Sequence, residues 1–298
     1  EAYAANVREF LYRNGYRVSP TDLGYEYARQ LENITPTPSF WFKPIGSKAS
    51  DLYVSKPSKS VGNFTFTRNS IATVVNSEGV IETVGINEPR IDFTDNTKGH
   101  LLLEPQRLNR VTNSSEYGNN PINTTITRNQ ITAPDGTLTA DRILDNSVNG
   151  EHLLGQNYTG LIVNGTTYVM SAFFKSDGTD GKGVVRFYTG SWQYAVFNLE
   201  NGTVSFTSTG TSKIENYGNG WFRCSLAVTA TLDYGSSVVQ IGIGNSLNQF
   251  SYQGATSLGN YFWGVQFEEG SYPTSYIPSL TGSQTTRSAD VARGAGTA

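Results

Sequence analysis

After Asn109, four Asn-Gly pairs, Asn149-Gly150, Asn164-Gly165, Asn201-Gly202 and Asn219-Gly220, punctuate a series of short apolar segments. A two-residue type I′ turn needs positive φ at both central positions, which Asn followed by Gly tolerates best, so each pair predicts a tight hairpin. Between and beyond the pairs lie residues 167–174, 184–188, 194–199, 204–206 and 238–243, rich in β-branched and aromatic side chains. Short strands at this spacing predict a mainly β chain, an antiparallel β-sandwich of the jelly-roll kind. The composition agrees, because aromatics at 12% and 31 glycines favour strands and tight turns over helices.

Residues 261–278 read as the strand that closes such a domain. Tyr261, Trp263, Val265 and Phe267 alternate with Phe262, Gly264, Gln266 and Glu268, so a period of two places the first four on one face. Gly270 and Pro273 stop the strand, and Tyr276-Ile277-Pro278 is expected to lie back over the sandwich. Upstream, residues 71–75 and 80–84 flank Asn76-Ser77-Glu78-Gly79 and predict a hairpin. Residues 1–35 differ in kind: Tyr3, Val7, Phe10 and Leu11, then Leu23, Tyr27 and Leu31, follow helical spacing on two short segments. Helices this short need something to dock on, either another chain or the β-domain itself as a cap. The expected division is therefore a helical attachment segment at 1–35, a linker and hairpin region at 36–105, and a β-sandwich at 106–298.

Charge and residue counts narrow the chemistry. A net charge of −3 without basic clusters gives no reason to expect nucleic acid as a partner. No apolar run reaches the length of a membrane-spanning helix. One cysteine, Cys224, excludes an internal disulfide, and its strand pattern predicts a buried structural thiol. His100 and His152 are the only histidines, too few for His/Cys metal sites and a narrow basis for Ser-His catalysis. Glu268 and Glu269 are adjacent, so a strand sends them to opposite sides; the expectation is a solvated strand end, with no catalytic residue and no cofactor. Asp177-Gly178-Thr179-Asp180-Gly181 has oxygen ligands compatible with calcium, but ordinary turn chemistry accounts for it. Trp221 and Trp263 read as core. Trp192, after a Gly-Ser turn, and Tyr194 are expected at a loop edge, where an aromatic face can stack on a sugar. Asn245, Asn248, Gln249 and Tyr252 form a second polar-aromatic loop of that type. Exposed aromatics equally mark protein interfaces.

Several motifs stand in an order that carries a resemblance. They run from Phe66-Thr67-Arg68-Asn69-Ser70 to Asn87-Glu88-Pro89-Arg90-Ile91-Asp92 and Leu103-Glu104-Pro105-Gln106-Arg107-Leu108-Asn109. Gly218-Asn219-Gly220-Trp221-Phe222-Arg223, Glu268-Glu269-Gly270 and Thr286-Arg287-Ser288-Ala289-Asp290 follow. Over residues 60–292 the chain resembles head-fibre, tail-fibre and decoration proteins of tailed phages, whose jelly-roll part is similar to carbohydrate-binding modules. The resemblance implies a virion part and leaves fibre or decoration, head or tail, open; the expected role is a head fibre or capsid decoration. The alternatives are a tail fibre recognising host glycans and a polysaccharide-degrading enzyme. It also implies virion partners held through residues 1–35, self-association as a trimer, and surface glycans as ligands.

Overall fold

The computed structural model describes residues 44–48, 51–54, 64–94, 97–118, 120–158, 160–235, 237–280 and 282–293, and among them all regular structure is β. The helical segment expected at 1–35 lies outside the described residues. Strands β1 (Pro44–Lys48), β2 (Asp51–Val54) and β3 (Phe64–Thr67) precede β4 (Ala72–Val75), β5 (Ile81–Val84), β6 (Arg90–Asp92) and β7 (His100–Leu102). Next come β8 (Arg107–Asn109), β9 (Asn120–Ile122), β10 (Thr124–Ile131), β11 (Ala140–Asp145), β12 (Asn149–Glu151) and β13 (Leu153–Tyr158). The central run is β14 (Thr167–Ser176), β15 (Lys182–Tyr188), β16 (Trp192–Asn198), β17 (Thr203–Thr207), β18 (Thr211–Asn216), β19 (Trp221–Thr229) and β20 (Ser237–Gly244). The chain ends through β21 (Ser251–Gln253), β22 (Gly259–Glu269), β23 (Thr285–Arg287) and β24 (Val291–Arg293).

Two antiparallel six-stranded sheets form the sandwich. The first has the order β10-β11-β22-β14-β19-β18 and the second β17-β16-β15-β20-β13-β9. Alternation decides which side chains meet between them. Tyr168, Met170, Ala172 and Phe174 on β14 and Cys224, Leu226 and Val228 on β19 share one core with Val185 and Phe187 on β15 and Val239, Ile241 and Ile243 on β20. Each large side chain removed from water there contributes about 1.5–3 kcal/mol. Burial also pushes the Cys224 thiol well above its ordinary range, so it packs as a small apolar group.

Strand β22 departs from strict alternation. Gly264 sits at φ +63°, and the β14–β22 register shifts between Ser171 and Phe173. Such a bulge advances the chain by one residue and exchanges its faces. Phe262 therefore points into the inter-sheet core, Trp263 and Tyr261 point outward, and Val265 and Phe267 point inward again. The single face expected for Tyr261, Trp263, Val265 and Phe267 is thus split in two. The Asn-Gly pairs divide as well. Asn219 and Gly220 both have positive φ and close the β18–β19 hairpin as expected, with the Trp221 amide donating to the Gly218 carbonyl at 2.8 Å. Asn201-Gly202 joins β16 to β17 with only Gly202 at positive φ. Asn164-Gly165 connects strands of different sheets, and Asn149-Gly150 lies within β12, paired to β21. An Asn-Gly pair permits a turn without requiring one; pairing partners decide.

The outer face of the first sheet is covered. Val75 and Ile81 of the β4–β5 hairpin, Ala133 and Tyr276 pack on Phe173, Trp221, Trp263 and Ala140. The Tyr276 ring lies 4.4 Å from that of Trp263, and its hydroxyl meets Ser114 Oγ at 2.7 Å. The tail thus lies back over the sandwich as its sequence indicates. Under it Glu268 is fully buried, contrary to the solvated strand end expected. It accepts from the Thr274 amide at 2.7 Å, Thr274 Oγ1 at 2.8 Å and Gln266 Nε2 at 2.8 Å. The tail is the reason, since Glu268 lies opposite the core-facing Phe267 and the 271–280 segment folds over that face. Burial raises its carboxyl pKa, and those hydrogen bonds oppose the rise. Glu269 faces solvent and pairs with Arg110.

A buried ionic cluster fastens the same region. Arg68 Nη1 lies 3.0 Å from Asp290 Oδ1, Arg90 pairs with Asp290, and Arg90 Nη1 lies 2.9 Å from Glu104 Oε2. Arg287 stands 3.4 Å from Glu104, while Ser275 donates its amide and hydroxyl to Glu104 at 2.8 and 2.7 Å. Residues just after β3, on β6, between β7 and β8, in the 271–280 tail, at the end of β23 and in the β23–β24 turn meet there. Charges buried in this way hold only as a set, because each is desolvated.

Candidate functional site

The outer face of the second sheet carries a different surface. On β15, β16 and β20 the inward positions fill the core, so Arg186, Tyr188, Trp192, Tyr194 and Gln240 fall on the opposite side. Phe206 on β17 joins them beside Val196. The rings form a continuous run. Tyr234 lies 4.7 Å from Tyr188, Tyr188 5.3 Å from Trp192, Phe250 4.8 Å from Tyr194, and Tyr194 5.1 Å from Phe206. The Arg186 guanidinium joins the two halves, 3.8 Å above the Trp192 ring and 4.9 Å from that of Phe250. Trp192, Phe206 and Tyr234 remain 39–40% exposed, so the run faces solvent.

Polar groups are set into this run. Arg186 is 5% exposed and pairs with Glu151 at 2.8 Å, but its Nε has no partner. Burial lowers its pKa and Glu151 opposes the shift. Gln240, the cross-strand neighbour of Arg186, is also 5% exposed and leaves Oε1 unpartnered. Gly155 faces Gln240 across the β13–β20 pairing, and a Cβ there would press on the amide at 3.3 Å. Tyr252 stacks on His152 at 4.2 Å, and its buried hydroxyl is unpartnered. Burial pushes that phenol far up, so it stays protonated as a donor. Buried polar atoms without partners are uncommon, but these have no accessible surface, so what the face offers a ligand is its half-exposed rings.

Of the residues singled out in the sequence, Trp192 and Tyr194 lie on this run, while Tyr252, on β21, packs against His152. Asn245, Asn248 and Gln249 do not present their polar groups to it. Asn245 Oδ1 accepts from the amides of Leu247 and Gln249, and Asn248, at φ +64°, accepts from Lys182 Nζ at 2.7 Å. That loop reaches the face through Phe250 instead. Phe206, Phe250, Arg186 and Gln240 were missed; alternation alone places Arg186 opposite the core, but not beside Trp192. The attachment positions Tyr3, Val7, Phe10, Leu11, Leu23, Tyr27 and Leu31 lie outside the described residues. In the 177–181 turn, Asp177 is engaged by Arg142 at 2.7 Å and by Thr179, so an arginine stands where calcium was considered. His152 is buried between the carbonyls of Asn123 and Tyr252, which orients the ring that Tyr252 stacks on.

No protein-family model matches the chain, and no curated protein matches it. Solved structures to which the chain is similar include the enzymatically active domain of tailspike protein 4 of bacteriophage CBA120, at 11% identity and a TM-score of 0.33 over 54% of this chain. The CBM22-1–GH10 modules of a Clostridium thermocellum endo-1,4-β-D-xylanase, complexed with xylohexaose, match 59% of this chain at 14% identity and a TM-score of 0.33. A carbohydrate-binding module of Cellvibrio mixtus lichenase 5A, in complex with cellotriose, matches 54% at 12% identity and a TM-score of 0.29, covering 98% of that module. The match spans 21% of the tailspike chain and 30% of the xylanase chain. Likeness at this level says nothing of what this chain binds.

Proposed function

We propose that this protein is a virion surface component, a head fibre or capsid decoration, whose sandwich binds glycans without cleaving them. The observation that carries the glycan reading is the aromatic run from Tyr234 to Phe206, half-exposed at Trp192, Phe206 and Tyr234. Rings stack on the apolar faces of sugars while fixed polar groups read hydroxyls. Binding alone is proposed because glycoside hydrolysis needs two carboxyl groups flanking the scissile bond. Among the described residues Glu151 reaches the run, where Arg186 engages it, and Asp233, beside Tyr234, accepts from the Asn164 amide.

The virion placement rests on the sequence resemblance over residues 60–292. In this reading residues 1–35 dock on another virion protein and the chain self-associates as a trimer. A tail-fibre receptor protein is the second reading, favoured by the buried Arg186 and Gln240, which offer more discrimination than simple adhesion needs.

The glycan reading is tested with the full chain on a glycan array, alongside Trp192→Ala and Phe206→Ala. Saturable binding lost in both variants is expected. Binding to no glycan, or binding indifferent to both substitutions, overturns it. Antibody against the chain, located on particles by electron microscopy, separates a head position from a tail tip.

A further inference from the structure

A cleft on the outer face of the first sheet takes no part in the aromatic run. Its volume is about 490 Å³. Small-molecule sites span about 300–1,000 Å³. Three separate segments build it: the end of β10 with the loop after it, the turn of the β4–β5 hairpin at Val80, and the β18–β19 hairpin. It therefore opens at the margin of the cover, on the opposite side of the sandwich from Trp192. Trp221 closes the floor, 3% exposed and fixed by its indole Nε1, which donates to the Thr132 carbonyl at 3.1 Å. The walls are apolar and accessible: Leu138 is 63% exposed, and Val80, Ile131 and Tyr217 are half-buried.

One charged side chain lines this cleft, Lys175 of β14, the cross-strand neighbour of Trp221. Its stem runs over the β18–β19 turn, where a Cβ at Gly220 would press on Lys175 Cε at 3.2 Å. The glycine leaves room for the lysine. The ammonium has no hydrogen-bond or ion-pair partner, yet it is not among the buried unpartnered atoms, so it meets solvent. Neighbouring carboxylates do not line the cleft. Asp177 is held by Arg142 at 2.7 Å, Asp135 accepts from the amide and hydroxyl of Thr137, and Glu78 stands exposed beyond Gly79. Gln130, at the rim, donates to the Arg128 carbonyl through Nε2 and so turns its amide oxygen free to accept. A single cation above apolar walls matches a ligand with one negative charge and an apolar body. A multiply charged anion would keep charge that nothing in the cleft offsets.

We infer that this cleft is a second binding site, for small monocarboxylates, with Lys175 holding the carboxylate and the apolar walls its ring. A sugar acid and an aryl acid share that chemistry, and the probes separate them. The test titrates the full chain calorimetrically with glucuronate, N-acetylneuraminate and benzoate, with the neutral methyl ester of each, and with sulfate and phosphate. Saturable binding of at least one carboxylate is expected, with its methyl ester bound at least about tenfold more weakly, a difference of about 1.4 kcal/mol. Lys175→Met keeps a stem over Gly220 and removes the charge, and should weaken binding by about the same factor. Leu138→Glu, at an exposed position where folding is not at stake, sets a carboxylate on the wall and should do likewise. Trp192→Ala, on the other sheet, should leave carboxylate binding unchanged. Failure of every carboxylate to saturate at millimolar concentration overturns the inference, as does binding indifferent to Lys175→Met and Leu138→Glu or lost in Trp192→Ala. Methyl esters bound as tightly as the acids, or sulfate and phosphate bound as tightly as a carboxylate, overturn the ligand assignment. None of these results bears on the aromatic run, so the glycan reading stands or falls separately.

Discussion

The outer faces of the two sheets begin from similar materials and end differently. Each sets an arginine against an aromatic ring: Arg223 lies 5.3 Å from Phe173 on the first sheet, and Arg186 lies 3.8 Å from Trp192 on the second. On the first sheet the β4–β5 hairpin and the 271–280 tail close over the rings, and Phe173 is fully buried. Among the described residues no such lid covers Trp192, Phe206 or Tyr234, each 39–40% exposed, although Phe250 and Tyr194 bury Val184 and Val196 on the same face. The chemistry of a face therefore depends less on its own residues than on which distant segments fold across it. A covered face becomes core; an open one is free to bind.

The largest way to break that contrast is to unfasten the cover. Asp290→Ala leaves Arg68, Arg90 and Arg287 without a shared carboxylate and should destabilise the protein by about 3–5 kcal/mol in urea unfolding. A loss below about 1 kcal/mol would mean the cluster does not hold the cover in place. Next, tryptophans on opposite faces should part company. Trp263→Ala removes a buried ring and should cost about 3–5 kcal/mol. Trp192→Ala should cost about 1 kcal/mol or less, yet abolish glycan binding. Similar stability losses for both would contradict the open face.

The pH dependence sharpens the contrast further. Burial tends to raise the Glu104 pKa, but Arg287 and Arg90 outweigh it and leave the carboxyl below its ordinary value. Its folded pKa being depressed, Glu104 contributes stability above the unfolded value, and that stability is lost as pH falls through the folded one. Glu104→Gln should lower stability by about 2 kcal/mol at neutral pH and flatten the acid limb of the melting profile. Glu268 acts in the opposite sense. Its raised pKa means the folded state holds its proton longer, so its contribution falls as pH rises from the unfolded pKa to the folded one. The smallest effect separates two turns. Asn219→Ala, at φ +51°, should cost about 1 kcal/mol in thermal unfolding. Asn201→Ala, outside the positive-φ set, should cost about half that or less.

Much of the architecture was legible because strands announce themselves by local chemistry. The 76–79 turn, the Asn219-Gly220 hairpin, the buried Trp221 and Cys224, and the returning Tyr276 all follow from residue type and spacing. What misled was also local. A strict period of two ran through Gly264, where the bulge exchanged the faces of β22, and the tail rather than the strand pattern buried Glu268. Within the candidate site, Trp192 and Tyr194 were legible as edge aromatics. Phe206, Phe250, Arg186 and Gln240 were not, because they come from separate strands and a loop.

By itself, then, the sequence determined a β-sandwich of short antiparallel strands, most of its core residues and the tail that folds back. Alternation, turn chemistry and apolar content act over a few residues and need no partner to be read. Tertiary structure alone decided the pairing order, the bulge, the meeting of Arg68, Arg90, Arg287, Glu104 and Asp290, and which sheet stays open. Those depend on contacts between segments up to 222 residues apart, and no local pattern encodes which distant segment will cover which face.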